Sequence, residues 1–365
     1  MKRLKFLPLA ACLTLAALPS LWADTPGDTA TTQYVTTSHG SLGLSGSVYL
    51  YDYAPAAVSG AANNFDLYAF ILNLDGASAD GKTGLHAQFR YRDTRLRSYY
   101  LSNVWFQELY AYRKTPWGDM HVGKFYRRVG ILWDDSFFGN IQYFNGLKLD
   151  PNYGAEWVGN EALARNFSVD YSAQFFPNNG NTDGSLPGRD VNSDPLATMR
   201  NTVTLRVVPT WKWGKSDSLA LGLSALNASL DRSTTTAGNF NINQLAADAT
   251  LTWGPSVTYA EILRQNGELD TAQNTLGRPA YDTAVYLLAG TRWQICPRVN
   301  LRFNYSSANY VGKNAREEEY VPGAVISLTQ NLSLIAEFDY WRILPRTGGQ
   351  SLLDRSYNTV LRYDF

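Results

Sequence analysis

The chain has 365 residues, 45% hydrophobic and 18% charged, with 32 basic side chains against 32 acidic ones. That balance offers no basic surface for a polyanion, so nucleic acid is set aside as a partner. Two cysteines, three scattered histidines and a mean hydropathy of −0.26 argue against a disulfide scaffold, a histidine metal centre and a bundle of apolar membrane helices.

Residues 1–23 combine the basic "MKRLKF", the apolar "LPLAACLTLAALPSL" and a small residue, Ala23, before Asp24, which together read as a cleaved secretory signal. Residues 24–40 then form a short periplasmic segment, and residues 41–365 the body of the protein. "LAAC" also resembles a lipoprotein acceptor, but the apolar run before Cys12 is too short and continues past it. Removal of the signal leaves 29 basic residues against 32 acidic ones and Cys296 as the one remaining cysteine, so no internal disulfide can form.

From residue 41 the chain alternates. "ARNFSVDYSAQF" sets Phe167, Val169, Tyr171, Ala173 and Phe175 against Asn166, Ser168, Asp170, Ser172 and Gln174. "NTVTLRVV", "VNLRFNYSS" and "LSLIAEFDYW" repeat the pattern, and the final "SYNTVLRYDF" opposes Tyr357, Leu361, Tyr363 and Phe365 to Ser356, Asn358, Arg362 and Asp364. Each run is a strand with one apolar and one wet face. In chain order the strands fall near 41–53, 63–75, 82–93, 103–114, 118–126, 143–150, 164–176, 199–211, 218–230, 243–253, 256–264, 282–293, 298–309, 319–329, 332–342 and 354–365, about sixteen in all.

Short turns ("TPWGD", "WKWGKSDS", "WGP", "QICPR", "TQN") alternate with long Gly-, Asn-, Asp- and Pro-rich segments such as 177–195 and 264–281. Trp117, Trp211, Trp213, Trp253 and Trp293 all flank short turns, where amphipathic rings suit a lipid headgroup level. A soluble β-sandwich has no need of either asymmetry. The apolar faces are therefore expected to meet outer-membrane lipid, and the backbone must close on itself as an all-β, antiparallel, up-and-down transmembrane β-barrel with a wet interior.

With that architecture, the terminal "YDF" and the stretch "TPWGDMHVGKFYRRVGILWDDSFFGN", the chain resembles the Gram-negative outer-membrane porins. The resemblance implies a water-filled channel in the cell outer membrane for small hydrophilic solutes and ions, without cofactor, catalysis or metal. It also implies that Phe365, with Tyr363 beside it, is read by the barrel-assembly machinery, and that the third outer loop, 127–142, folds inward as a constriction carrying Asp134 and Asp135. The common porin loop motif, rich in proline and glycine around a Glu-Phe pair, is not present there.

Inward faces carry His86, Arg90, Arg92, Arg206 and Arg302, and also Glu108, Asp170, Asp248, Glu337 and Asp339, so the lumen is of mixed sign. Arg90 and Arg92 project to one side and are expected to face the loop aspartates across the pore. The arginines and the lumen tyrosines Tyr110 and Tyr112 leave a second reading open, a substrate-specific channel for anions or sugars. A barrel enzyme lacks a nucleophile motif, and an adhesive barrel would not conduct. Gly46, Gln107 and Lys124 make some outward faces poorly apolar, which calls for cover by loops or by another subunit, as in a homotrimer.

Deletion of Phe365 is expected to lower assembly well beyond the loss of one exposed aromatic. The measurement is the folded, heat-modifiable fraction recovered from outer membranes, and wild-type recovery would refute the assembly role.

Overall fold

The computed structural model describes residues 32–55, 66–92, 103–131, 136–137, 141–144, 151–178, 197–214, 216–232, 240–269, 281–311, 315–344 and 352–365. They form β1 (Gln33–Thr37), β2 (Gly40–Pro55), β3 (Asp66–Ser78), β4 (Thr83–Tyr91), β5 (Val104–Thr115), β6 (Gly118–Phe125), a four-residue helical turn α1 (Ile141–Phe144), β7 (Asn152–Ala164) and β8 (Phe167–Asn178). Then follow β9 (Ala197–Trp213), β10 (Asp217–Arg232), β11 (Phe240–Trp253), β12 (Ser256–Leu269), β13 (Tyr281–Cys296), β14 (Val299–Tyr310), β15 (Ala315–Ser327), β16 (Leu332–Leu344) and β17 (Leu352–Asp364).

Each strand from β2 to β17 is antiparallel to the next, and β17 pairs back onto β2 from Ser356↔Pro55 to Asp364↔Ser47, closing a barrel of sixteen strands. Among the described residues no helix is long and apolar enough to cross a membrane. β1 was not expected as a strand. It runs antiparallel to β2 from Gln33↔Leu44 to Thr37↔Gly40, along the stretch of β2 that β17 does not reach. Between them Phe365 and Gly46 exchange two backbone hydrogen bonds of 2.9 Å, so β17 and β1 lie end to end on one edge of β2.

The strand expected at 143–150 is corrected to Asn152–Ala164. Asn152, Glu156 and Val158 alternate there with Tyr153, Trp157 and Gly159, and this run takes both ladders, to β6 and to β8. The earlier segment carries Asn145-Gly146, a turn signal, and Ile141–Phe144 before it is helical.

Alternation sorts the faces as expected. On β9 Val203, Leu205, Val207, Trp211 and Trp213 point outward and Thr202 and Thr204 are buried inward; on β17 Ser356, Asn358 and Asp364 are buried inward. The short-turn tryptophans, Trp117, Trp211, Trp213, Trp253 and Trp293, are all exposed and form a girdle at one end.

Of the polar residues expected to face lipid, Gln107 changes face and Lys124 keeps its face but is covered. A β-bulge between β4 and β5, where Gln88 and Phe89 pair with Glu108 and Phe106, leaves Gln107 unpaired in the ladder. Its side chain is buried, accepting from Trp105 Nε1 at 2.6 Å and donating to Tyr126 Oη at 2.5 Å, so it turns inward. Lys124 keeps the outward register opposite Leu109 but is fully buried, donating through Nζ to the Phe106 carbonyl at 2.9 Å, beyond the last β5–β6 pair. The bulge thus supplies the acceptor that lets an ammonium sit on an apolar face.

Gly46 lies beneath the Phe365 ring, which also stacks on Phe70 with centroids 6.1 Å apart. A Cβ at Gly46 would come within 2.5 Å of both the Phe365 ring and the Ile71 carbonyl oxygen, and the second is backbone. Gly46→Ala is therefore expected to destabilise the barrel by about 1–3 kcal/mol, the usual range for overpacking. Its folded band should be lost at lower temperature than wild type on semi-native gels, and an unchanged transition would refute the close contact.

Candidate functional site in the barrel lumen

Within the barrel lie the described residues, 126–131, 136–137 and 141–144, of the third long connection between β6 and β7. Gln174 on β8 clamps its start, donating to the Tyr126 carbonyl at 2.8 Å and accepting from the Arg128 amide at 2.7 Å. The Gly130 amide then donates to Ser224 Oγ on β10 at 3.0 Å, and the Ile131 amide to the Glu261 carboxylate on β12. Gly130 has φ +60°, and a Cβ there would collide with Glu261, so this turn requires glycine.

Farther along, the Phe137 amide donates to Glu337 Oε1 on β16 at 2.8 Å, and the Ile141 amide to Ser306 Oγ on β14 at 3.1 Å. Ser306 in turn donates to Glu319 Oε2 on β15 at 2.7 Å. The wall acids thus accept backbone N–H groups that would otherwise be buried without partners, which fixes the loop's path.

Side chains complete the docking. Val129 and Ile141 join Leu226, Ile242, Leu263, Tyr286, Tyr310, Trp341 and Ile343 in one buried cluster, drawn from the inward faces of β10–β14 and β16 near their long-loop ends. Phe137 packs among Tyr49, Tyr51 and Tyr68 on β2 and β3, with ring centroids 5.1–5.9 Å away. On this side the lumen is a dry core rather than a wet wall.

The opposite arc, β3 to β9, presents a row of polar side chains in register. His86 Nδ1 lies 2.6 Å from Asp75 Oδ1, and its Nε2 4.0 Å from Glu108 Oε2. The rings of His86, Tyr110 and His121 stack in series at 5.0 and 4.9 Å, with Tyr112 edge-on to His121. His121 Nδ1 then meets Glu156 Oε1 at 2.9 Å, while Glu156 Oε2 accepts from Arg128 Nε at 2.7 Å and Gln174 Nε2 at 2.5 Å. Past them Arg206 makes a two-pronged bond to Asp248, at 2.6 and 2.9 Å. Toward the short-turn end of this arc a cavity of about 580 Å³ opens, lined by Asp119, Arg128, Asn160, Asp170, Ser172 and Arg206 among others.

The structure places His86 and Arg90 on β4 and Glu108 on β5, His86 lying beside Glu108 and Arg90 Nε donating to Gln88 at 2.8 Å, while Arg92 follows the end of β4 and lies 4.2 Å over the Tyr68 ring. Arg206 is held by Asp248, and Asp170 accepts from Asn160 at 2.5 Å. Arg302 sits apart on β14, in register with Arg292, and Glu337 and the buried Asp339 are on β16, Glu337 acting as a loop anchor. Asp134 and Asp135 lie outside the described residues. Tyr363 and Phe365 share the outward face of β17.

Phe137, Arg128, Glu156 and Glu261 were not singled out from the sequence. A signal was available: 127–142 holds Val129, Ile131, Phe137 and Ile141, far more apolar than the loop at 177–195, and the inward faces of β10–β13 carry Leu226, Ile242, Leu263 and Tyr286 in their outer halves.

The same fold is found in solved outer-membrane proteins. Salmonella typhi OmpF, in complex with daunomycin, superposes with a TM-score of 0.66 at 10% identity over 91% of this chain and all of that one. The outer membrane channel DcaP of Acinetobacter baumannii gives 0.62 at 11% identity over 90% of this chain and 99% of its own. An anion-selective porin from Comamonas acidovorans gives 0.59 at 10% identity over 89% and 100%. No family model and no curated protein matches the sequence. The fold is thus porin-like, a closed antiparallel barrel shared with outer-membrane channels.

Phe137→Ala removes the ring that the far wall holds. Burial of such a side chain contributes roughly 1.5–3 kcal/mol when complete, and Phe137 is part-buried, so the loop is loosened rather than unfolded. Single-channel records of this variant are expected to show higher conductance and more flicker than wild type. Identical records would refute the anchoring role.

Proposed function

We propose that the protein is an outer-membrane porin: a channel through which small hydrophilic solutes and ions diffuse passively, exported by its signal and folded by the barrel-assembly machinery. One observation carries this reading. The inward loop is docked through its backbone amides on the β10–β16 wall and packed dry there, while the β3–β9 arc keeps charged and hydroxyl-bearing side chains and a cavity in front of them. A folded structural barrel has no use for a polar arc of this kind, and transport does.

The fixed ion pairs along the arc set a local field that water and ions follow, while the loop narrows the section, so solutes are sorted by size and charge. The stacked His86, Tyr110 and His121 rings favour a second reading, a channel selective for sugars or anions, because flat rings beside paired polar groups suit a solute with both kinds of face. No enzymatic role is proposed. A homotrimer stays in the proposal, although Gly46, Gln107 and Lys124 find their cover within the subunit.

The test is reconstitution in planar bilayers under a salt gradient. Stepwise conductance is expected, and its absence from correctly folded protein would overturn the channel reading. Replacing Arg90 and Arg92 with Gln should shift the reversal potential toward cations. Replacing Asp134 and Asp135 with Asn should shift it toward anions, as the expected place of those residues on the loop requires. A sugar-selective channel would instead show ion current blocked by micromolar to millimolar sugar.

A further inference from the structure

A charged cluster lies on the outside of the barrel, where the apolar belt ends. Register sets Tyr305, Tyr320 and Tyr340 in one outward row across β14, β15 and β16, with Arg355 next in the row on β17. Closer to the long-loop rim, Glu318 stands opposite Arg342, with Arg316 two residues from Glu318 on the same face. Both guanidiniums pair with the Glu318 carboxylate. That side chain is only 5% exposed, whereas Arg316 and Arg342 remain 54% and 36% exposed. Arg316 also donates to Tyr305 Oη at 2.9 Å, and Arg355 lies 5.4 Å from the Tyr340 ring centre.

Below the tyrosine row the same faces are apolar, with Leu332, Leu334, Ala336 and Phe338 on β16 and Pro322, Ala324 and Ile326 on β15. Ten residues along β16 separate Arg342 from Leu332, roughly 33 Å of strand, which a tilt of about 40° reduces to about 25 Å of height, the extent of the apolar band in such barrels. The arginines therefore stand at headgroup level. Three guanidiniums against one carboxylate leave an excess of two positive charges facing the membrane. Glu318 and the tyrosines hold them in place, and guanidinium forks match phosphate oxygens.

We propose that this face binds the phosphate groups of an anionic outer-leaflet glycolipid, whose acyl chains lie along the apolar surface of β15 and β16. The proposal rests on the outer-membrane placement but on neither the conductance nor the selectivity of the lumen. Purified protein in detergent is titrated with bis-phosphorylated lipid A and with its dephosphorylated form, and bound lipid is counted by native mass spectrometry. Wild type is expected to retain the phosphorylated lipid at least about tenfold more tightly, with a preference that weakens as salt is raised. R316Q/R342Q should abolish the preference while gel mobility and conductance stay as in wild type, and E318Q, which frees both guanidiniums, should preserve or raise it.

Equal retention of the two lipids, or a preference that survives R316Q/R342Q, would overturn the proposal. So would a preference unchanged by salt in wild type, a result that stands even where the double variant fails to fold. Loss of subunit association in R316Q/R342Q with the lipid preference intact would assign the face to a second copy of the chain and overturn it as well. A barrel that retains lipid as expected but carries no current would defeat the channel reading alone.

Discussion

A backbone N–H or C=O in hydrocarbon has no water to turn to, so a sheet that faces lipid can leave no edge. Every other feature of this protein is arranged around the closure that this demands, at the seam where β17 meets β2. The seam is finished by two chain segments rather than one. Phe365 ends its ladder against Gly46, and β1 takes up the remaining edge of β2 below it. The contact has no slack, because the Phe365 ring occupies the space that any side chain at position 46 would need.

Closure creates an interior, and the interior is divided. One side is filled by the inward loop with a core of the kind found in a soluble domain, and the carboxylates of Glu261, Glu319 and Glu337 serve there as receptors for amide groups, directly or through Ser306. The other side carries charge on display but not at liberty, since Glu156 is shared by His121, Arg128 and Gln174 and Arg206 is tied to Asp248. Fixed charges of this sort act as oriented dipoles and cost nothing to reorganise as a solute passes.

Much of this was legible in the order of the residues. Period-two alternation along β8, β9, β14 and β17 sorts lipid-facing from lumen-facing side chains directly, and loop length gave the two ends of the barrel. What failed to show has physical causes. A bulge shifts parity by one, so Gln107, read as outward, is inward. The sixth barrel strand was misplaced because a loop that packs in a core carries the same apolar residues that a strand would. Which residues dock the loop could not be read, because amide-to-carboxylate pairs such as Phe137 to Glu337 join positions 200 apart and leave no local pattern.

The one-sided filling has a mechanical side. A hollow cylinder under lateral pressure yields by becoming oval, and an internal strut stiffens it along the diameter that the strut spans. Here the strut runs from β8 past β10, β12 and β14 to β16 and the tyrosines of β2 and β3, and at its root Tyr126 and Arg128 tie it to Gln107 on β5 and Glu156 on β7. β4 to β6 carry the His86, Tyr110 and His121 stack, with rings about 5 Å apart, and Glu156 joins its last ring to Arg128 at the root of the loop. Compression of the surrounding bilayer would therefore reach those rings and the root of the loop together, so that the passage would respond to membrane thickness and packing through its wall as well as through its loop.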